Sequence, residues 1–346
     1  MGAAKLSERL GKVTVKEVAE AAGVSTASVS RVVNEHDNVA ASTREAVLEA
    51  ITRLNYMPHN AGRVLATRRS RLIGVILPDI YGEYFSELVR GIDQAAREHG
   101  LHLLVAGSHG DAAEARGLIR EMHGRVDGLI LMSPYLESTE LMAAVSRDMR
   151  TVLLNSAGES RIDSFAIDNF AAARMAARHL IAAGRRKIAH IAGPAGNIEA
   201  GQRRAGYEAA LAEAGDLRPI ILQGDFTDAA GAEAGRTIAA HTEDFDAVFA
   251  ANDMMALGCL AALAEVGVKV PDDVAIVGFD DIPLARFVNP ALTTVGVDIA
   301  GLGRKALEKV AARIDGDDAA FEDITIHTRL VVRRSCGAAR QEPGDS

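Results

Sequence analysis

The sequence predicts a small all-α head, a short linker, and an α/β body built as two doubly wound parallel-sheet lobes. Three observations carry this expectation. The chain has 346 residues, more than one hydrophobic core usually holds, so two or three domains are expected. Near the N-terminus, short apolar stripes at helical spacing alternate with capping residues. From Leu72 onward, short apolar runs alternate with amphipathic stretches, and this series restarts near Lys187.

The composition narrows the class. Hydrophobic residues make up 48% and charged residues 25%, which describes a folded chain and excludes a disordered one. Cys259 and Cys336 lie far apart without metal-ligand spacing, which fits a reducing compartment. The first residues lack the apolar core of a signal peptide, and no run is long enough to span a bilayer. A cytoplasmic location without a membrane partner is therefore expected. The net charge of −9 conceals an asymmetry: residues 1–71 hold eleven Lys/Arg against seven Asp/Glu, a net +4, which leaves −13 for the rest. No acid lies between Glu49 and Asp79, whereas Arg53, Arg63, Arg68, Arg69 and Arg71 all do. A positive head on an acidic body suits contact with nucleic acid and repulsion elsewhere.

In the head, Thr14 and Glu17 have capping-box spacing, and Val15, Val18, Ala19 and Ala22 mark the buried stripe of a first helix. Gly23 supplies a turn. Ser25 then caps a second helix, with Val24 and Val29 spaced as a hydrophobic staple. Ser42 and Glu45 repeat the capping-box spacing before a third helix that ends at Pro58. Three short helices with a glycine turn between the first two match helix-turn-helix geometry, whose second helix lies in the DNA major groove. Its outward residues are small or hydrogen-bonding, so the backbone can approach the bases. Thr26 and Ser28 offer hydroxyls to base edges, and the Ala27 methyl can meet a thymine methyl. Arg31 reaches a guanine or a phosphate, while Ser25 and Asn34 anchor phosphates and fix register. Thr14, Val15 and Tyr56 complete the predicted DNA-contacting set of the head.

The linker admits two readings. Asn60 can cap one or two helical turns, too few to persist alone. Gly62 weakens them further, by roughly 1 kcal/mol relative to alanine. The segment is either a flexible tether or a piece that folds only on DNA. In the second case Arg63 touches DNA and Leu65 wedges between bases in the minor groove.

In the body, LIGVILPD, LHLLVAGS, VDGLILMSP and TVLLNS read as strands, followed by KIAHIAGP, PIILQGDF, AVFAAND and VAIVGFDD. Asp79, Ser133, Asn155, Asp225, Asn252, Asp253, Asp280 and Asp281 gather at their carboxyl ends, where such sheets hold ligands. No dinucleotide fingerprint follows a strand, and no phosphate loop, serine elbow or histidine pair is present. Residues 301–305 read as a close-packed helix start, and His190 as a core histidine. No cofactor, metal or enzymatic activity is expected, and the strand-end carboxylates suit a polyhydroxylated ligand.

The residues carry a resemblance. VKEVAEAAGVSTASVSRVVN, TREAVLEAITRLNYMPHNAGRVLATRRS, LIGVILPDIYGEYF, HLIAAGRRKIAHIAGP, VFAANDMMALGCLAALAEVGVKVPDDVAIVGFDDIPLARFVNPALTTV and VVRRS together resemble the lac repressor/purine repressor family. The match runs in family order over about residues 13–335. The resemblance implies a homodimer on a near-palindromic double-stranded operator, with a hinge helix from Asn60 and Leu65 intercalating. It also implies a body like the type I periplasmic binding proteins, with an effector between the lobes. By position, Tyr84, Phe85, Ser133, Asn155, Asp168, Asn197, Glu199, Arg203, Phe226, Asn252 and Asp280 would contact that effector.

The domains expected are a head of residues 1–59, a hinge of 60–71, a body of 72–337 and a disordered tail of 338–346. The lobes are expected at 72–166 plus 297–321, and at 167–296 plus 322–337. Three residues depart from the family pattern: Gly62 stands for the usual hinge alanine, Val297 for a frequent glutamine, and Asn155 for an aspartate. The tail has no apolar heptads, so a tetramerising coiled coil is not expected. The function implied is a transcriptional repressor controlled by a small molecule, a sugar first and a purine corepressor second. A cytoplasmic solute-binding protein is the remaining alternative.

Overall fold

The computed structural model describes residues 13–33, 38–56, 69–135, 140, 143–155, 161–215 and 217–337. The chain divides into two compact units between Ser70 and Arg71.

Among its described residues, the first unit holds three helices, α1 (Val15–Ala22), α2 (Thr26–Val33) and α3 (Ala41–Leu54). The capping box forms: the Glu17 N–H donates to Thr14 Oγ1 at 3.4 Å, and the Thr14 N–H donates to Glu17 Oε2 at 2.8 Å. Gly23 adopts φ 66°, and this left-handed turn lets its N–H reach carbonyls of α1. Ser25 caps α2 by accepting from the Ser28 N–H at 3.1 Å. Val18, Ala19, Val29, Val32, Val47 and Ala50 form the buried core, so each helix contributes one apolar stripe. The expected Ser42–Glu45 capping box is a correction. The helix starts at Ala41 with Ala40 as its uncapped N-cap, which places Ser42 already inside the first turn.

The second unit contains two sheets of six strands each. The first has the order β11-β5-β4-β3-β1-β2, from β1 (Leu72–Leu77), β2 (His102–Gly107), β3 (Gly128–Met132), β4 (Arg150–Leu154), β5 (Asp163–Ile167) and β11 (Asp323–Ile326). The second has the order β12-β10-β9-β8-β6-β7, from β6 (Ile188–Ile191), β7 (Ile220–Leu222), β8 (Ala247–Ala250), β9 (Ala275–Asp280), β10 (Thr293–Gly296) and β12 (Arg329–Val331). Among the described strands, β12 alone runs antiparallel to its neighbour. Apolar side chains fill the central strands on both faces, as helix-covered parallel sheets require.

Helices cover the sheets in close pairs. In the first lobe, α4 (Glu83–Glu98) lies against α10 (Ile299–Ile314). A Cβ added to Gly91 would stand 2.0 Å from the Ala300 carbonyl oxygen, so only glycine allows this approach. In the second lobe, α8 (Asp228–Ala240) lies against α9 (Asp253–Glu265) with the same device. There a Cβ on Gly258 would stand 1.9 Å from the Asp228 oxygen. α5 (Ala112–Met122), α6 (Asn169–Ala182) and α7 (Ile198–Glu213) complete the set used below.

The chain crosses between lobes later than expected. β11 pairs in parallel with β5, so residues 323–326 belong to the first lobe and not the second. The strand is short and half exposed at a sheet edge, with Asp323 and Thr325 interrupting its apolar pattern. Arg313 supports this edge from α10: Nε and Nη2 donate to the Asp163 carboxylate at 2.7 and 3.0 Å.

Candidate nucleic-acid interface and ligand cleft

On the head, Thr26, Ala27, Ser30 and Arg31 are exposed along α2, while Val29 and Val32 face the core. This is the bare, hydrogen-bonding face that the sequence predicts. Ser28 is half-buried, with its hydroxyl 2.9 Å from that of Ser25. Thr14 is exposed and Val15 half-buried at the start of α1. Tyr56 is different. It is buried in the head core, and burial raises its phenol pKa. Asn34, Asn60, Arg63 and Leu65 lie outside the described residues.

In the body, a cleft of about 180 Å³ opens where the carboxyl ends of the two sheets meet. Both sheets reverse strand order beside their first strand, and a crevice at such a switch point is where doubly wound sheets bind ligands. Its centre is Arg203, one turn into α7, whose N-cap Asn197 accepts from the Ala200 N–H at 2.9 Å. Arg203 Nε donates to Asn169 Oδ1 at 2.8 Å, and Nη1 donates to the Ala251 carbonyl at 2.5 Å. The guanidinium lies 3.8 Å from the Phe279 ring centroid and 5.8 Å from that of Phe226. Two carboxylates flank it: Glu199 at 3.8 Å from Nη2 and Asp280 at 3.6 Å from Nη1. All three side chains are nearly sealed from solvent, with residue exposures of 4% for Arg203, 5% for Glu199 and 4% for Asp280.

Burial sets the electrostatics. It raises the Glu199 carboxyl above its usual range against the pull of Arg203. It raises Asp280 to about 7, again opposed by Arg203 and reinforced by Glu199. Asp280 Oδ1 and Asn155 Oδ1 are buried atoms without a hydrogen-bond partner. The Asn155 amide donates to Tyr84 Oη at 3.3 Å, which leaves the tyrosine proton available. Asn155, Phe226 and Asp280 all have left-handed backbones, with φ of 56°, 75° and 116°. Strain in non-glycine residues collects at binding sites because surrounding contacts hold it there.

Tyr84, Phe85, Asn155, Asn197, Glu199, Arg203, Phe226, Asn252 and Asp280 line the cleft together. Asn252 also caps α9 and donates to the Phe226 carbonyl at 2.9 Å, which fixes the aromatic loop. Ser133 and Asp168 do not line it. Ser133 is buried behind the wall, and Asp168 is an exposed N-cap that accepts from the Ala171 N–H at 2.9 Å. The next residue, Asn169, is buried and acts behind the cleft by holding Arg203. Asp79 and Asp225 line the rim, but their carboxylates accept from neighbouring loop N–H groups. Asp253 is fully buried and binds the Ile282 N–H and the Thr294 hydroxyl, a structural role. The sequence reading did not single out Tyr81, Tyr135 or Met254, which also line the cleft. Tyr81 spans the lobes, donating to Asp228 at 3.3 Å, and nothing in its local pattern signals that. Among the described residues, His241, Glu243 and Asp244 form one group close enough to hold a metal ion, fully exposed. No described helix is long and apolar enough to cross a membrane.

Comparison with known proteins agrees with both halves. Residues 14–59 match the family model of bacterial regulatory proteins, lacI family, and residues 177–336 match the periplasmic binding protein-like domain. The chain is 35% identical to the HTH-type transcriptional repressor PurR of Erwinia tasmaniensis over 93% of its own length and 96% of the relative's. It is 36% identical to the repressor of the same name from Salmonella newport, over 93% and 96%. In structure it resembles the lac repressor dimer bound to operator and the anti-inducer ONPF, at 30% identity and a TM-score of 0.81, covering 95% of this chain and 100% of that one. It also resembles the transcriptional regulator CelR in its cellobiose complex, at 32% identity and a TM-score of 0.68, covering 93% and 99%. A head with a bare recognition helix and a two-lobed body with a buried polar cleft are thus the parts of a DNA-binding transcriptional regulator, and the chain belongs to the lacI family of bacterial regulatory proteins.

Proposed function

We propose that this protein is a cytoplasmic, non-enzymatic repressor that grips a near-palindromic operator as a homodimer and is controlled by a polyhydroxylated metabolite, a sugar, in its cleft. The observation that carries the reading is the sealed cluster of Arg203, Glu199 and Asp280, with unpaired acceptors on Asp280 and Asn155. Sugar hydroxyls donate to such acceptors, and the rings of Phe85 and Phe226 cover the apolar face of a pyranose. Thr26, Ala27, Ser28 and Arg31 read bases, and Ser25 with Asn34 holds phosphates. Exposed Leu104 and Val105 on the edge strand of one lobe, and Leu284 and Phe287 on the other, suit burial against a second copy.

Ligand contacts from both lobes alter the angle between them, which changes how far apart the dimer holds its two linkers. Only a differential affinity of about 1–3 kcal/mol between the two arrangements is needed. Calorimetric screening of sugars and nucleobases tests the ligand class. A sugar that binds, and whose binding Arg203→Ala abolishes, supports the reading; binding confined to nucleobases overturns it in favour of a purine corepressor.

A further inference from the structure

Among the described residues, the two buried cleft-lining atoms that lack a hydrogen-bond partner are both acceptors. Asp280 Oδ1 and Asn155 Oδ1 are buried without a hydrogen bond, the former facing Arg203 Nη1 at 3.6 Å. Two nearly sealed carboxylates, Glu199 and Asp280, flank a single arginine, and neither makes a close bond to it, at 3.8 and 3.6 Å. Arg203 has already spent Nε on Asn169 and Nη1 on the Ala251 carbonyl, and its face rests on Phe279. Glu199 is held by neutral amides, accepting from Asn169 at a long 3.4 Å and from the Asn155 side chain. The same cleft is lined by aromatic rings, Tyr84 and Phe85 from the first lobe and Phe226 from the second. A buried carboxylate without a full partner is costly, which is why burial raises both Glu199 and Asp280, so an occupant that brings a positive charge is favoured because it lets them ionise.

We propose that the effector carries a protonated amine beside its hydroxyls, and that the ammonium sits against Glu199 and Asp280 within this aromatic wall. The inference rests on reading the cleft as the effector site and narrows the class to amino sugars and similar aminated polyols. An ammonium presents three donors and a full charge, which answers the acceptor surplus where a hydroxyl presents one donor and none. Aromatic faces add attraction for the cation. An acidic ligand is disfavoured by the same count. Glu199 is the specificity-determining residue, because it supplies charge without being needed to orient Arg203, which Asn169 and Ala251 already hold.

The test is titration calorimetry of the full chain with matched pairs at neutral pH: glucose and glucosamine, galactose and galactosamine, mannose and mannosamine. The expected result is that an aminated member binds about tenfold or more tightly than its parent. In Glu199→Gln, checked as folded by its melting curve, that gap should shrink to about threefold or less. The inference is overturned if the parent sugar binds as tightly in every pair, if the gap survives Glu199→Gln, or if no aminated sugar binds. Failure of the wider reading looks different. Neutral sugars that bind and shift operator affinity would leave the repressor reading standing without the amine. If no sugar of either kind binds and Arg203→Ala leaves operator control intact, the effector cleft itself is misassigned.

Discussion

The two lobes share one strand order yet furnish the cleft in different ways. Ile130 pairs with Val75 and with Val152, and Phe249 pairs with His190 and with Val277. Counting from these registers, Asn155 and Asp280 occupy equivalent places just beyond or at the end of their strands. Both have left-handed backbones, and both leave Oδ1 unpaired. The first lobe supplies the neutral amide and the aromatic residues Tyr84 and Phe85. The second supplies the charges, Glu199, Arg203 and Asp280. A duplicated scaffold thus carries one shaping half and one charge-bearing half. The chemistry of recognition lives in the side chains grafted on the fold and not in the fold itself.

The largest break in this comparison is Arg203→Ala. It strips the charged half of its cation and leaves Glu199 and Asp280 uncompensated, which should cost about 3–5 kcal/mol in denaturant unfolding. Ligand response should vanish as well. The counterpart Asn155→Ala in the neutral half should cost clearly less, and equal losses would refute the division of labour.

Next come Gly91→Ala and Gly206→Ala, which force a methyl against the Ala300 and Phe170 carbonyl oxygens in the equivalent helix contacts of the two lobes, α4 on α10 and α7 on α6. Each should lose about 2–3 kcal/mol, measured the same way. A large inequality would mean that the helix pairs are not equivalent.

Smaller effects appear with pH. His190 stands where the first lobe has Val75, stacked between Tyr207 and Phe249 with Nδ1 2.9 Å from the Phe249 carbonyl. Burial lowers its pKa to about 4 from 6.5. The unfolded chain binds that proton more readily, so stability is held above about pH 6.5 and lost as pH falls toward 4. His190→Gln should flatten the melting-temperature profile in that window. Asp280 works in the opposite sense. Its pKa, raised to about 7 by burial, means that the fold holds a proton the unfolded chain releases, so stability falls as pH rises from about 4 to 7. Asp280→Asn should therefore gain more in melting temperature, relative to the parent, at pH 8 than at pH 5.

The central strands were legible in the sequence because LIGVILPD or VAIVGFDD are apolar runs bounded by turn residues. β5, β10, β11 and β12 were not marked as strands, because Asp, Ser and Thr residues mask the pattern in the first three and β12 is only three residues long. Those polar groups are satisfied only by distant partners: Asp163 by Arg313, and the Thr293 N–H by Ser335. The head was read almost fully, since caps and staples are local, and the slip at Ser42 is a shift along one turn. In the cleft, residues at strand ends were legible by position. Tyr81 was not, because its role depends on a contact across the lobes. Asp168 is expected in the cleft by position alone, yet it faces solvent while the adjacent Asn169 is buried, because which of two neighbours points inward depends on the exact turn where α6 starts.

The account's central claim is that occupancy of the cleft decides whether the head holds DNA. The direct measurement is fluorescence anisotropy of a labelled near-palindromic operator with the full chain, at several salt concentrations, with and without the sugar that calorimetry identifies. The account predicts affinity that falls steeply with salt, as released counterions require, and a ligand-dependent shift that Arg203→Ala removes. Affinity that is indifferent to the ligand at every salt concentration, or binding to no duplex at all, would contradict it.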